Sequence, residues 1–301
     1  MIRPHPRCRF QGSLVALATP FRDGELDLQA FRGLIDWHAS SGTDGLVVAG
    51  TTGEGATLTE EERERVFVAA VEGARGRMPV IAGVGTNSTR TTVEYARAAE
   101  RCGVDGLLVV TPYYNKPTPR GLVLHFGAVA EAVRLPIVLY NVPSRTGVDM
   151  SVAVVVEVSK RFDHVVAVKE ALPSIDKVKR LVAESPAAVL CGEDAAIADF
   201  MGHGAVGIVG VVNNVAPVEV SELVRVSVPG GDSVRAAALV ERLAPLVRDL
   251  FIESNPGPVK AALAWLGRCR EEVRLPLATL EPGNRSRLEA TLRAFGPAKA
   301  R

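Results

Sequence analysis

"SGTDGLVV" (Ser41–Val48) recurs as "CGVDGLLV" (Cys102–Val109), and "HGAVGIVG" (His203–Gly210) is a looser third copy. In each, a glycine ends a helix, a polar or small spacer follows, and a second glycine opens a run of aliphatic residues. A unit repeating helix stop and strand start in that order describes successive βα units. "SLVALAT" (13–19), "PVIAGVG" (79–85), "PIVLYNV" (136–142), "HVVAVKE" (164–170) and "AAVLCGE" (187–193) bring the aliphatic runs to eight. Each is rich in Val, Ile and Leu, lacks polar alternation, and is short enough for a strand covered on both faces. Amphipathic stretches lie between them. In "EEERERVFVAAVEGA" (60–74), Val66, Phe67, Ala70, Val71 and Ala74 fall on one side, and Thr59 with Glu62 supplies a capping box.

Eight parallel buried strands in sequential βα units close most economically into a (β/α)8 TIM barrel, an α/β fold, expected over residues 1–228. The competitor is a doubly wound open sheet. That fold carries ligand-binding glycines directly after its first strand, and "ALATPFRDG" (16–24) lacks the fingerprint. Beyond Gly230 the strand pattern stops. "SVRAAALVERLAPLVRDLF" (233–251) places Ala236, Leu239, Val240, Leu243, Leu246, Val247 and Leu250 along one helical face, with Pro245 an expected kink. "PGPVKAALAWLG" (256–267) and "NRSRLEATLRAFG" (284–296) read as two further helices, so residues 229–301 are expected to form a helical extension packed on the barrel.

Composition narrows the function. Among 301 residues, Lys plus Arg number 35 against 34 Asp plus Glu, a net charge of +1. Such balance gives no electrostatic footprint for nucleic acid or anionic lipid, which leaves a small molecule or another copy of the chain as the partner. No run of about 18 apolar residues occurs, so no membrane span is expected. "MIRPHPRCRF" (1–10) lacks the apolar core of a signal peptide, and Cys8, Cys102, Cys191 and Cys269 are too scattered for a disulfide framework. A cytoplasmic location follows as an expectation.

Several pattern matches fail on context. "GTTGEGAT" (50–57) has the glycine spacing of a P-loop but Ala56 where the phosphate-binding lysine belongs. "GHGAVG" (202–207) matches the dinucleotide fingerprint but lies after a helix and before a strand, the reverse of what that site requires. The five histidines are scattered with no pair at ligand spacing, so neither metal nor cofactor is expected.

A barrel places its chemistry at the C-terminal strand ends. There stand Thr51 and Thr52 after the second strand, Tyr113 and Tyr114 after the fourth, Tyr140 on the fifth followed by Arg145, Lys169 on the sixth, and Gly192 with Glu193 after the seventh. Each alone is more often a packing, capping or solvated residue. Together on one rim they suit imine formation. A free lysine amine titrates near about 10.4, and burial disfavours the ammonium, leaving more of the neutral nucleophile. Tyr140 is a positioned phenol for the proton transfers, Thr51 and Thr52 suit a carboxylate, and Arg145 offers a bidentate fork for a second one.

These residues also carry a resemblance. "GTTGEGATLTEEER" (50–63), "VTPYYNKPT" (110–118), "LYNVPSRTG" (139–147) and "VVAVKEA" (165–171) resemble the dihydrodipicolinate synthase branch of the pyruvate-dependent class I aldolases, a family that includes N-acetylneuraminate lyase. The likeness runs from Gly12 to Pro276 and includes "FIESNPGPVKAAL" (251–263). It implies a lyase of lysine and diaminopimelate biosynthesis, condensing pyruvate with L-aspartate 4-semialdehyde to give 4-hydroxy-tetrahydrodipicolinate. Lys169 would form the Schiff base and Tyr140 would relay protons. Thr51 would link Tyr140 to Tyr114, which the family lends to a neighbouring subunit within tetramers built from dimers. Thr52 would hold the pyruvate carboxylate and Arg145 that of the semialdehyde, while Gly192 and Val209 would line the pocket with backbone groups. Two stretches depart: Gly55 stands where the family usually has serine, and "GIVGVVNN" (207–214) replaces a run usually read with serine at its fourth place. Lysine-inhibited members carry histidines and a glutamate at the positions of Glu60, Arg63 and Thr91, so L-lysine inhibition is expected to be weak or absent. Two other readings stay open: a relative acting on a sugar acid or hydroxy-oxoglutarate, and a catalytically silent barrel serving as a binding partner.

Overall fold

In the computed structural model, which describes residue 2 and residues 4–296, the repeated helix stop takes the same shape three times. Gly42, Gly103 and Gly204 follow the helices Leu28–Ser40, Thr89–Arg101 and Ile197–Gly202 at φ +79°, +78° and +97°. That region is open to glycine at no steric cost, which is why the motif keeps it. Gly45, Gly106 and Gly207 then open barrel strands.

The barrel strands are Gly12–Ala16, Gly45–Val48, Val80–Gly83, Gly106–Val110, Ile137–Asn141, Val165–Glu170, Ala188–Cys191 and Gly207–Gly210, numbered here first to eighth. All pair in parallel with their sequence neighbours, and Gly12 facing Gly207 closes the ring. All eight aliphatic runs are therefore strands, as the sequence predicts. A short antiparallel ribbon, Phe21–Arg22 with Glu25–Leu26, follows the first. The interior is filled by alternate side chains such as Leu14, Val47, Leu108 and Val138, with Phe10 plugging the lower end. A β-carbon at Gly106 would lie 2.5 Å from the Phe10 ring, so the plug depends on that glycine.

Helix Glu60–Ala74 starts at the expected capping box, with Thr59 accepting from Glu62 N and Glu62 accepting from Thr59 N. It buries Val66, Phe67, Ala70 and Ala74 as expected, and Arg63 in addition. The extension comprises Ser233–Leu250, Gly257–Trp265 and Pro282–Phe295. The long helix is one unbroken element through Pro245; it buries Ala236, Leu239, Leu243, Leu246 and Leu250, while Val240 stands exposed at the edge of the face. Leu243, Leu263 and Leu292 belong to the same apolar cluster as the barrel's outer strand faces and its helices.

Candidate active site

At the C-terminal mouth of the barrel lies a cavity of ≈ 170 Å³ reached by Lys169, Tyr140, Thr51, Thr52, Arg145 and Gly192. It is smaller than the about 300–1,000 Å³ that houses drug-sized ligands. Lys169 is 5 % exposed, points inward from the sixth strand, and holds its Nζ 4.2 Å from the centroid of the Tyr140 ring. Tyr140 and Lys169 are register partners on adjacent strands, so the backbone ladder itself brings phenol and amine together. No hydrogen bond or ion pair occupies the Lys169 amine among the described residues.

Gly192 makes room for that side chain. A β-carbon there would lie 3.0 Å from Lys169 Cε, 3.0 Å from Ala171 Cβ and 3.1 Å from Glu170 O. Beneath it, Cys191 donates its thiol to Glu193 O at 3.1 Å, and burial pushes its pKa up, which leaves it an inert neighbour. Asp194 is buried and accepts from Val211 N and Val212 N at 2.9–3.1 Å, pinning the turn after the eighth strand. Burial raises its pKa to about 6, against the pull of those two amides.

Thr52 is buried, and its Oγ1 accepts from Asn255 Nδ2 at 3.0 Å, which leaves the hydroxyl proton free to donate into the cavity. Thr51 is exposed. Their loop holds two non-glycine residues at positive φ, Ala49 and Glu54, each at +51°. Such conformations cost of order 1–3 kcal/mol and persist when the surroundings over-determine them. Glu54 pairs with Lys260 at 2.6 Å with both side chains fully buried, and also accepts from Arg274 N at 2.9 Å. Arg63 donates to Gly83 O at 2.8 Å and to Gly55 O, and stacks on Tyr95. A β-carbon at Gly55 would fall 2.1 Å from Ala49 O, so the loop in this conformation has no room for a side chain there. Gly210 is as crowded: a β-carbon would meet Asn213 Oδ1 at 2.2 Å and Asp194 Oδ1 at 2.8 Å.

Of the residues singled out from sequence, Lys169, Tyr140, Thr51, Thr52, Arg145 and Gly192 converge on the cavity. Arg145 is exposed at the mouth, on the short helix Pro143–Thr146. Val209 is buried in the barrel interior beside Leu14, and Val211, in the turn just after the eighth strand, lines the cavity instead. Tyr114 is 90 % exposed at φ +73° and does not line its own chain's cavity. A wider hollow of ≈ 580 Å³ adjoins, sharing Thr51, Tyr140 and Arg145 and reaching Arg63, Thr91 and Tyr95; Glu60 does not line it. Sequence reasoning missed Ser144, Phe251 and Asn255 as cavity residues. The last two come from the helical extension; the available signal was the asparagine in "FIESNPGPVK", polar yet followed at once by an apolar helix.

Three comparisons bear on this geometry. The model of the Dihydrodipicolinate synthetase family matches residues 9–295. The 4-hydroxy-tetrahydrodipicolinate synthase of Anaeromyxobacter sp. (strain Fw109-5) is 46 % identical over 291 residues, 96 % of this chain and 98 % of that one. The crystal structure of dihydrodipicolinate synthase from Aquifex aeolicus superposes with a TM-score of 0.94 at 45 % identity, covering 97 % of this chain and all of that one. The chloride-inhibited dihydrodipicolinate synthase from Acinetobacter baumannii, solved in complex with pyruvate, gives 0.92 at 42 % identity over 95 % of this chain and 99 % of its own.

Proposed function

Because the chain belongs to the dihydrodipicolinate synthetase family, we propose that it condenses pyruvate with L-aspartate 4-semialdehyde to give 4-hydroxy-tetrahydrodipicolinate and water. The observation that carries this reading is the buried, unpaired amine of Lys169 held 4.2 Å from the Tyr140 ring at the base of a small cavity. Imine chemistry needs an amine sheltered from water and a proton relay beside it, and the burial of Lys169 next to the Tyr140 ring supports that reading.

The Lys169 amine attacks the keto carbon of pyruvate, forming a C–N bond and a carbinolamine. Tyr140 delivers the proton with which the carbinolamine hydroxyl leaves as water, giving the iminium. The Thr52 hydroxyl, its oxygen engaged by Asn255, donates to the pyruvate carboxylate. Loss of a methyl proton gives the enamine, which attacks the aldehyde carbon; that oxygen, protonated, becomes the product hydroxyl. The amino group of the second substrate then attacks the iminium carbon, closes the ring and releases Lys169. Arg145 at the mouth holds the second carboxylate in a bidentate grip. Gly192 keeps the path of Lys169 open, and Val211 stands in the cavity wall where the sequence predicts Val209. No metal or organic cofactor takes part in this scheme.

Thr51 links Tyr140 to Tyr114 across a subunit boundary in this reading. A phenol 90 % exposed in its own chain, next to an exposed Thr51, supports a donor to a partner's site. The assembly we propose is a homotetramer built from dimers. A cytoplasmic home is in keeping with four free cysteines and with the absence, among the described residues, of a helix long and apolar enough to cross a membrane.

Borohydride trapping with pyruvate, read by mass spectrometry, tests the reading. A reduced adduct on Lys169 is expected, followed by turnover with aspartate semialdehyde in preference to sugar-acid or hydroxy-oxoglutarate aldehydes. Absence of an adduct refutes the mechanism. An adduct with a different preferred aldehyde transfers the chain to the other aldolases of the family.

A further inference from the structure

We propose that Asn141 and Glu170 form a positioning clamp on the outside of the barrel that fixes Tyr140 against Lys169 inside it. This rests on the reading of Lys169 as the imine-forming amine. Tyr140 pairs with Lys169, and one residue on, Asn141 pairs with Glu170. Neighbouring residues of a strand point to opposite faces, so the reactive pair faces the cavity and the second pair faces the surrounding helices. Both outer residues are fully buried.

The fifth and sixth strands need such a device because their ladder is irregular. Ile137 pairs with Val165 but Val138 with Ala167, so Val166 is an extra residue in the sixth strand. Val166 and Ala167 both belong to the interior cluster, whereas Val165 and Val168 belong to the outer one. A bulge of this kind re-aims every later side chain. Without it, Lys169 would point at the helices and Glu170 into the cavity. A slip of one residue has the same effect, since strand periodicity is two. Above the bulge four ladder pairs, Val138–Ala167 to Asn141–Glu170, carry the shifted register, and a side-chain constraint at their open end would add to what the backbone bonds hold.

Asn141 and Glu170 supply that constraint. Asn141 Nδ2 donates to both Glu170 oxygens, at 2.8 and 3.0 Å, and to Asp149 Oδ1 at 2.8 Å. Its Oδ1 accepts from Met150 N at 2.8 Å. Glu170 also accepts from Leu172 N at 2.8 Å and pairs with Lys177 Nζ at 2.9 Å. Lys177, from helix Ile175–Glu184, holds Asp149 as well. Both ends of the carboxylate are thus engaged, and only one register satisfies all of these bonds. A buried carboxylate this well paired is costly to disturb.

The test follows trapping of pyruvate on Lys169 by borohydride in a quenched time course, together with kcat and KM, for Asn141→Ala and Glu170→Gln. The comparison protein is Asp105→Asn, which loses a cross-strand carboxylate on Val80 N at the opposite end of the barrel. The clamp predicts that trapping rate and kcat per folded molecule fall about 10–100-fold, the scale expected for misplacing a reacting group. KM for pyruvate stays within about threefold, because the carboxylate site is untouched. Lys177→Gln, farther from the strands, gives a smaller fall in the same two rates and serves if the first two variants do not fold. Rates no lower than those of Asp105→Asn at equal loss of Tm overturn the clamp. A wild type that fails to trap pyruvate overturns the underlying reading; a wild type that traps while the variants match its rate overturns the clamp alone.

Discussion

Replacing Gly192 by alanine puts one methyl group into the space that Lys169 crosses. The new carbon falls 3.0 Å from Lys169 Cε and from Ala171 Cβ, and 3.1 Å from Glu170 O, where carbon contacts are comfortable at about 3.5–4.0 Å. Gly192 is not at positive φ, so the backbone accepts alanine and the strain is purely one of crowding. Ala171 and Glu170 are fixed by backbone bonds, Ala171 N to Asn141 O and Gly192 N to Glu170 O, whereas the end of a lysine chain swings freely. The amine therefore moves first. Overpacking costs about 1–3 kcal/mol, and if the transition state bears it, kcat/KM for pyruvate drops about 5–150-fold at about 1.4 kcal/mol per decade. Borohydride trapping measures the imine step directly, and a melting curve run alongside reads the fold. The expected result is a large fall in trapping rate with Tm lowered by only a few degrees. Wild-type trapping with a lowered Tm would show that the wall yields and the amine does not, refuting the packing argument.

Arg145→Ala should raise KM for aspartate semialdehyde at least tenfold more than KM for pyruvate, on the order of one charge-assisted hydrogen-bond pair; equal effects would remove Arg145 from its role at the mouth. L-Lysine should inhibit weakly or not at all, since Arg63 is already committed to Gly83 O, Gly55 O and the Tyr95 ring; titration calorimetry or an inhibition curve giving a low-micromolar constant would contradict this. His125 is buried, shares Nδ1 with Thr89 at 2.9 Å, and has its pKa lowered from 6.5 to about 4 by burial. The unfolded chain takes up that proton near 6.5 and the folded chain resists it, so the group's contribution is complete above pH 6.5 and is lost on acidification toward 4. Asp194 and Glu170, whose pKa values burial raises, run the opposite way, so the histidine is isolated by difference. His125→Gln should gain on the wild type by about 1.4 kcal/mol per pH unit between 6.5 and 4 in denaturant titrations; a difference that is flat with pH would refute it.

Much of the fold was legible because its signal is local. Aliphatic runs without alternation, and glycines at fixed offsets, report strands and helix ends regardless of what packs on them. Lys169 and Tyr140 were legible for the same reason, lying on the last turns of such runs. The bulge at Val166 was not: "HVVAVKE" reads identically with or without it, although it decides which way Lys169 faces. The loop "GTTGEGAT" is the other instructive case. Sequence excludes a P-loop there, but nothing local says that Glu54 turns inward to meet Lys260, 206 positions away. The helical extension read as an appendage, whereas Phe251 and Asn255 line the cavity. Contacts of that range leave no periodicity to detect.

The bond from Asn255 to Thr52 spans 203 positions, and the Lys260–Glu54 pair and Arg274 tie down the same loop. A chain that has emerged only as far as the eighth strand therefore has Thr52 and Glu54 still without these anchors. Competence arrives only when the last third of the polypeptide emerges and docks. Early termination beyond the eighth strand is then expected to silence the chain, since it removes those anchors together with part of the apolar cluster that covers the barrel's outer faces.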